Sequence, residues 1–334
     1  MMPDLPTIWA GLLALAVFIY VVLDGFDLGI GILYPFLDDK PQRDLAMNTV
    51  APVWDGNETW LILGGGGLFA AFPLAYSIVM PALYAPFIAM ILALVFRGVA
   101  FEFRWRDPAH ERHWDRAFFW GSAVATFAQG IVLGAFVQGI EVEGRAYAGG
   151  WWDWLTPFSV TCGFALMAGY ALLGAGWIIL KTEGELRARA YRLARYAGAA
   201  TFAFIGVVSL WTPLLSPEIA ERWFTFPQLV FVLPVPTLVA ILGGVLIWGA
   251  IFHNDYIIFP GTIALFALSY IGLGIGVAPY VVPRAVTIHE AAAPDSSLVF
   301  MLVGAVILLP MILAYTAWAY WIFRGKIDEN SGYH

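Results

Sequence analysis

Charged residues are scarce in this sequence. Only 12% of its 334 residues are Asp, Glu, Lys or Arg, whereas 61% are hydrophobic. Soluble domains typically carry about 25% charged residues. The composition therefore excludes an ordinary soluble domain and predicts a protein that crosses a membrane several times. The net charge of −7 lies in the loops, and it gives no support to nucleic-acid binding.

Cysteine and histidine are also rare. The single cysteine, Cys162, excludes an internal disulfide framework, an iron–sulfur site and a zinc site built on cysteines. Buried haem usually takes His, Met, Cys or Tyr as its axial ligand, but a methionine in an apolar helix is far more often a packing residue. The histidines fall in loops, at a helix end or at the terminus: His110, His113, His253, His289 and His334. The sequence therefore offers no evident haem ligand of its own.

Long apolar runs make up most of the remaining sequence. A run of about 20 apolar residues is long enough to span a bilayer as a helix. We predict an all-α polytopic membrane protein with about nine transmembrane helices, in a single integral membrane domain over residues 1–334. The predicted helices are 7–36, 58–77, 80–103, 114–138, 155–180, 194–214, 229–252, 257–281 and 298–323.

The basic residues predict the orientation, because cytoplasmic loops collect Lys and Arg. Seventeen Lys and Arg residues are present, and Arg97 lies inside a predicted helix. One set of loops and termini holds thirteen: Lys40, Arg43, Arg104, Arg106, Arg112, Arg116, Lys181, Arg187, Arg189, Arg192, Arg195, Arg324 and Lys326. The opposite set holds three: Arg145, Arg222 and Arg284. The N-terminus is therefore expected outside and the C-terminus in the cytoplasm.

Ionisable residues within the membrane are concentrated in the first three predicted helices. At a rise of about 1.5 Å per residue, five acids and one arginine should converge near the cytoplasmic face: Asp24, Asp27, Asp55, Glu58, Glu102 and Arg97. The later predicted helices carry no acid within their apolar spans. A carboxylate at membrane depth costs about 2.5 to 3.5 kcal/mol on insertion scales, so it normally has a partner or a function.

Two interpretations fit this convergence. Helices 1 to 3 are expected to pack together, so Arg97 can pair with an acid in a purely structural ion-pair network. Asp55 and Glu58 can likewise be ordinary partners of a helix dipole in the headgroup layer. One arginine, however, cannot neutralise five carboxylates. The remaining acids must be hydrated, protonated or in exchange with the cytoplasm.

Four segments of the chain resemble subunit II of the cytochrome bd-type quinol oxidases. They are L-D-G-F-D-L-G at 23–29, N-T-V-A-P-V-W-D-G-N-E-T-W-L at 48–61, F-R-G-V-A-F-E-F-R at 96–104 and L-L-P-M-I-L-A-Y-T-A-W-A-Y-W at 308–321. The resemblance implies two four-helix bundles plus a peripheral helix in the bacterial inner membrane. It also implies a heterodimer with a haem-bearing subunit I, sometimes joined by a small single-helix subunit, that oxidises quinol and reduces dioxygen to water.

The resemblance also implies a division of labour. In the family, haems b558, b595 and d and the quinol site belong to subunit I, which fits the missing ligands here. Asp27, Asp55 and Arg97 match positions that the family assigns to a proton route from the cytoplasm. Trp60 lies where the family has a proposed oxygen channel.

Three further residues join this interpretation on other grounds. Asp24 and Glu102 are included in the proton route because of their depth alone. Glu58, also in the route, stands where some relatives have Gln, which points to the cyanide-insensitive branch of the family.

The main alternative function is a proton-coupled secondary transporter, since acids near one face and broken, glycine-rich helices suit such a protein. Transporter sites, however, usually lie near the bilayer midplane between internal repeats, and no repeat is visible in this sequence. A purely structural membrane scaffold is a third possibility, but it leaves the surplus acids unexplained.

Overall fold

Helices account for most of the fold. The computed structural model describes residues 4–327. Its helices are α1 (Leu5–Leu33), α2 (Lys40–Asn48), α3 (Trp54–Ala71), α4 (Pro73–Ala82), α5 (Tyr84–Arg106), α6 (Glu111–Gln138), α7 (Pro157–Lys181), α8 (Gly184–Trp211), α9 (Pro217–Phe224), α10 (Gln228–Val232), α11 (Pro234–Ile251), α12 (Asp255–Val277), α13 (Ile288–Ala291) and α14 (Asp295–Ile322). Three short 3-10 helices lie at Tyr34–Phe36, Pro108–His110 and Thr212–Leu214. The fold also has two short antiparallel hairpins: β1 (Val142–Glu143) with β2 (Ala146–Tyr147), and β3 (Tyr280–Val282) with β4 (Val286–Thr287).

Over the described residues, eight helices are long and apolar enough to cross a membrane: α1, α5, α6, α7, α8, α11, α12 and α14. The remaining predicted span, 58–77, corresponds mainly to α3, whose 18 residues measure about 27 Å. Helix α3 runs antiparallel to α1, because its Asn57 bonds to Asp27 while its Gly67 lies against Leu13. It is less apolar than the others because its first turns carry polar side chains.

The helix contacts form two four-helix bundles and a peripheral helix, which confirms the fold expected from the resemblance. In the first bundle, α1 packs against α3 and α6, and α5 packs against α6. In the second, α7 packs against α8 and α12, and α11 packs against the same two helices. Helix α7 also contacts α1 and α6, which joins the bundles. Helix α14 contacts α1 and α3, and Leu298 is its one buried residue.

Two predicted helix boundaries were wrong. The break expected near residues 78–79 lies inside α4, and the chain leaves helical geometry instead at Phe72 and at Leu83. Pro73 opens α4 at a position where the missing N–H costs nothing, and Pro86 cannot donate to the carbonyl four residues earlier.

The predicted helix 194–214 also starts too late. Helix α8 begins ten residues earlier, at Gly184, because Leu186, Ala190 and Ala194 continue a buried stripe at helical spacing beyond the apolar run.

Helices α1 and α7 approach each other closely at a pair of glycines. A Cβ atom on Gly174 would lie 2.6 Å from the backbone nitrogen of Ile30, and one on Gly29 would lie 2.9 Å from the nitrogen of Gly174. One turn away, Phe26 stacks on Trp177 with ring centroids 4.3 Å apart. Residues two apart lie on nearly opposite sides of a helix. This contact therefore turns the acids at positions 24 and 27 towards α3 and α5.

Candidate functional site

A buried cluster of ionisable side chains lies where α1, α3 and α5 meet. The Nη2 atom of Arg97 donates to Asp24 Oδ1 at 2.6 Å and to Glu58 Oε2 at 3.0 Å. Arg97 and Asp24 have no exposed surface, whereas the Glu58 side chain is 29% exposed. The structure thus contains the expected pairing of Arg97 with an acid, and two acids share the same guanidinium nitrogen.

The Asp27 carboxyl completes this cluster through an amide. Asn57 Nδ2 donates to Asp27 Oδ2 at 2.8 Å, and the hydroxyl of Tyr320 on α14 donates to Asn57 Oδ1 at 2.8 Å. Asp27 and Asn57 are both buried. The second oxygen of Asp27, Oδ1, has no hydrogen-bond partner among the described residues. We call the group of Asp24, Asp27, Asn57, Glu58 and Arg97 the acid cluster.

The acid cluster contains more acid than base. Three carboxyl groups accompany one guanidinium, so full ionisation would leave an uncompensated negative charge in a low-dielectric interior, at a cost of several kcal/mol per ion. The indole of Trp54 lies 5.6 Å from the Arg97 guanidinium carbon and adds a cation–π contact. A cluster of this kind can take up and release a proton without creating a new unpaired positive charge.

The two other predicted acids lie outside these contacts. Asp55 is exposed on the first turn of α3, beside Glu58. Glu102 is 57% exposed and pairs with Arg106 at 3.2 Å. The expected convergence was therefore wrong for Glu102, because five residues along a helix turn a side chain by about 140° from Arg97. Depth alone does not place a side chain on the correct face.

Uncharged polar residues of the interior were missed by the sequence analysis. They are Tyr20, Asn57, Gln129, Tyr170 and Tyr320. The oxygen of Tyr20 accepts a hydrogen bond from Gln129 Nε2 at 2.7 Å, and the Tyr170 hydroxyl donates to Gln129 Oε1 at 3.0 Å. An amide side chain inside an apolar span could have indicated them, because such an amide needs hydrogen-bond partners on neighbouring helices.

Trp60, the residue associated with an oxygen channel, is 3% exposed. It packs with Ala16 and Tyr20 of α1, next to Leu309 of α14. Its indole therefore lies on the side of α3 that faces α1.

A second ionic network joins the helix ends near residues 40–44 and 104–115. Buried Arg104 pairs with Asp44 at 2.7 Å, with Glu111 at 3.1 Å and with Asp115 at 2.7 Å. Burial lowers the pKa of nearby Lys40, but its hydrogen bonds to Glu111 and Asp44 outweigh that effect and raise the pKa above its usual value. This network ties α2 to α5 and α6, and the sequence analysis missed it because Arg104 was assigned to a loop.

The four described histidines, His110, His113, His253 and His289, are exposed on the isolated chain. His110 contacts Asp107 at 2.9 Å, and this hydrogen bond lowers the pKa of the Asp107 carboxyl. His289 contacts Asp4 at 3.1 Å, and His253 packs against the Tyr191 ring with centroids 4.6 Å apart. Residues 4–327 contain no group of three or more His, Cys, Asp or Glu side chains that could hold a metal ion. His334 lies outside the described residues.

Known proteins identify the family. Residues 5–323 match the family model described as cytochrome bd terminal oxidase subunit II. The chain belongs to this family. Subunit 2 of the cytochrome bd-I ubiquinol oxidase of Escherichia coli K12 is 29% identical over 369 aligned residues, which cover 97% of this chain and 95% of that protein. Subunit 2 of the cytochrome bd ubiquinol oxidase of Bacillus subtilis 168 is 28% identical over 343 aligned residues, which cover 98% of this chain and 98% of that protein.

A solved structure shares the fold of this subunit II chain. The bd oxidase from Geobacillus thermodenitrificans superposes with a TM-score of 0.74 at 17% sequence identity, over 96% of this chain and 98% of that chain. Family membership favours an oxidase subunit over the proton-coupled transporter that the sequence had left open.

Proposed function

We propose that this chain is the haem-free subunit II of a bd-type terminal oxidase, a complex that oxidises quinol and reduces dioxygen to water. The match to the subunit II family over residues 5–323 is the observation that carries the proposal. On the family resemblance, we assign haems b558, b595 and d and the quinol site to the partner, subunit I. A small single-helix subunit is a further candidate member of the complex.

The proposed location is the bacterial inner membrane, with the N-terminus outside, the C-terminus cytoplasmic and residues 1–334 acting as one membrane domain. The distribution of basic residues supports this orientation. Contacts of Arg104 with Glu111, of Arg187 with Asp255 and of Lys326 with Glu183 gather basic residues at one end of the helices. Cytoplasmic ends collect Lys and Arg in this way.

One face of α3 is suited to bind subunit I. Asp55, Thr59, Ile62, Gly66 and Phe69 follow one another at helical spacing and are all exposed in the isolated chain. A carboxylate at this depth is unfavourable against lipid tails. A Cβ atom on Gly66 would have no neighbour within 4 Å, so a partner helix can approach the backbone closely there. We therefore place subunit I against this face.

The proposed contribution of the chain to catalysis is a proton route. Reduction of dioxygen to water consumes protons, and buried negative charge must be balanced as electrons arrive. Asp55 lies on the first turn of α3, at the edge of the face assigned to subunit I, Glu58 is partly exposed, and Arg97 connects Glu58 to the fully buried Asp24. We propose that protons enter at Asp55 and Glu58 and reach Asp24 and Asp27 inside the acid cluster. Glu102 is outside this route.

For Trp60 we propose a place beside the path of dioxygen, on the family resemblance alone. Its indole ring packs against Ala16 and Tyr20, and Tyr20 lies one helical turn from Asp24 of the acid cluster. Proton and oxygen paths would then run close together through the first bundle.

Co-purification tests the proposal. A tag on this chain, expressed with its neighbouring genes, should recover a haem-bearing partner and an activity that consumes oxygen when quinol is supplied. A stable chain without a haem protein, which instead moves a solute across vesicles, would overturn it and favour the transporter.

A further inference from the structure

A series of polar side chains, two of them buried tyrosines, leads from α7 towards the acid cluster. The Tyr170 hydroxyl of α7 donates to Gln129 Oε1 of α6 at 3.0 Å, and Gln129 Nε2 donates to the Tyr20 oxygen of α1 at 2.7 Å. Tyr20 and Asp24 lie one turn apart on the same face of α1, and both side chains are buried. These hydrogen bonds thus connect α7 and α6 to α1 beside the Asp24 carboxyl group.

The glycine that follows Asp24 lets the Tyr170 ring approach α1 closely. A Cβ atom on Gly25 would lie 2.8 Å from Cε1 of the Tyr170 ring, so only glycine lets this ring lie directly against α1. The ring is fully buried there. The Gly25 position of the L-D-G-F-D-L-G segment therefore serves the placement of Tyr170.

The Asp24 carboxylate, at which this series of side chains ends, determines the direction of the hydrogen bonds. A carboxylate can only accept hydrogen bonds, and a tyrosine hydroxyl has one proton to donate. Asp24 Oδ2 is buried and has no hydrogen-bond partner among the described residues, so it is an open acceptor for the proton of the Tyr20 hydroxyl one turn away. The Tyr20 oxygen must then accept from the amide nitrogen of Gln129, which leaves the amide oxygen to accept from Tyr170. Every donor consequently points towards Asp24.

We propose that Tyr170, Gln129 and Tyr20 form an oriented donor chain that positions the Asp24 carboxylate opposite Arg97. This inference rests on the proposed function, because it gives the proton route three positioning residues on α1, α6 and α7. An amide does not readily release a proton, so the donor chain holds Asp24 in place and does not conduct protons beyond it. Protons leave Asp24 through the acid cluster.

The alternative is that the three residues only join helices, as interhelical hydrogen bonds in membranes commonly do. The two roles differ in what they predict for the isosteric variant Gln129→Glu. A glutamate keeps the size of the side chain and accepts from Tyr170, but when ionised it cannot donate to Tyr20. A purely structural role predicts a less stable oxidase with unchanged kcat in the fully assembled enzyme, whereas a positioning role predicts a lower kcat in that same enzyme.

The test uses the assembled oxidase, purified with full haem content, at saturating quinol. Tyr20→Phe and Gln129→Glu should lower kcat by about ten-fold, since a hydrogen bond to a charged group is lost, and leave KM for quinol unchanged. Tyr270→Phe is the matched control, because the Tyr270 hydroxyl donates to the backbone oxygen of Ala14 on the same helix α1, at 2.9 Å. Its kcat should stay at the wild-type value.

Infrared difference spectroscopy supplies a second readout. The carboxyl band that is absent in Asp24→Asn identifies Asp24, and losing a donor in Tyr20→Phe should shift that band. Other ionisable groups lie near Asp24, and a specific effect on Asp24 requires that their infrared bands stay unchanged in Tyr20→Phe. These groups are Asp27, Glu58, Arg97, Tyr170 and Tyr320.

The outcomes separate the two claims. An unshifted Asp24 band in Tyr20→Phe, with wild-type kcat in both donor-chain variants, overturns the positioning role even if Asp24→Asn is slow. Wild-type kcat in Asp24→Asn overturns the proton route instead, and a shifted band in Tyr20→Phe would then still support the positioning of Asp24 by the donor chain.

Discussion

The Arg97 guanidinium and the Asp24 carboxylate lie 2.6 Å apart, and neither side chain has any exposed surface. The pair joins α5 to α1 within the first bundle. Removing one partner of a buried pair leaves an uncompensated charge, whereas a surface pair contributes little. This difference leads directly to a prediction about stability.

Arg97→Ala should destabilise the chain by about 3 to 5 kcal/mol and reduce its assembly, because two acids lose their shared cation. The stability of Arg97→Lys should lie between those of Arg97→Ala and the wild type, since lysine keeps the positive charge but lacks the planar guanidinium that bonds two acids. Thermal unfolding of the purified complex measures both. Arg106→Ala is the control on the same helix, because Arg106 is 74% exposed, and equal losses in Arg97→Ala and Arg106→Ala would contradict the account.

Gly29→Ala should destabilise the contact between α1 and α7. The added methyl group would overlap the α7 backbone, and overpacking of this kind typically costs about 1 to 3 kcal/mol. Gly11→Ala on the same helix is the control, since a Cβ atom there meets nothing within 4 Å. The midpoint of thermal unfolding should fall for Gly29→Ala alone, and a matching fall for Gly11→Ala would contradict the assignment of the loss to the contact between α1 and α7.

Reporter fusions test the orientation. Fusions after Arg116 and after Arg195 should report the cytoplasm, and a fusion near Gly149 should report the outside, because basic residues collect at the cytoplasmic end. The Gly149 fusion point lies between the β1–β2 hairpin and α7, at the opposite end of the helices from Arg104. An external signal after Arg195 would contradict both the orientation and the proposed cytoplasmic entry for protons.

The subunit expressed alone should carry no stoichiometric haem. Its four described histidines are exposed: His110 and His289 contact acids, His253 packs against a tyrosine ring, and His113 lies beside His110. Absorbance spectra of the purified chain, with the complete complex as the positive control, measure this. One haem per isolated chain would overturn the assignment of the haems to subunit I.

The sequence was sufficient to predict the helices and the core of the candidate site, because both depend on strong local signals. Long apolar runs identify spans, and an arginine within a span indicates an acidic partner. Glu102 was misplaced because an estimate of depth ignores rotation about the helix axis.

Other features depend on tertiary contacts. Asn57, Gln129 and the buried tyrosines carry no charge, so their partners on other helices become evident only in the fold. The position of α4 depends on how two prolines divide one apolar stretch, which hydropathy alone does not resolve.

The central claim, that this chain admits protons to the oxidase, is tested most directly by steady-state oxygen consumption of carboxamide variants. Asp24→Asn, Asp27→Asn and Asp55→Asn keep side-chain size but remove the titratable group. Glu102→Gln is the matched control, because Glu102 is an exposed acid on α5 outside the acid cluster. With fully assembled enzyme at saturating quinol, we predict slower turnover in the three Asn variants, unchanged haem spectra and wild-type turnover in Glu102→Gln. Wild-type turnover in all three Asn variants would contradict the claim and place the proton route in subunit I.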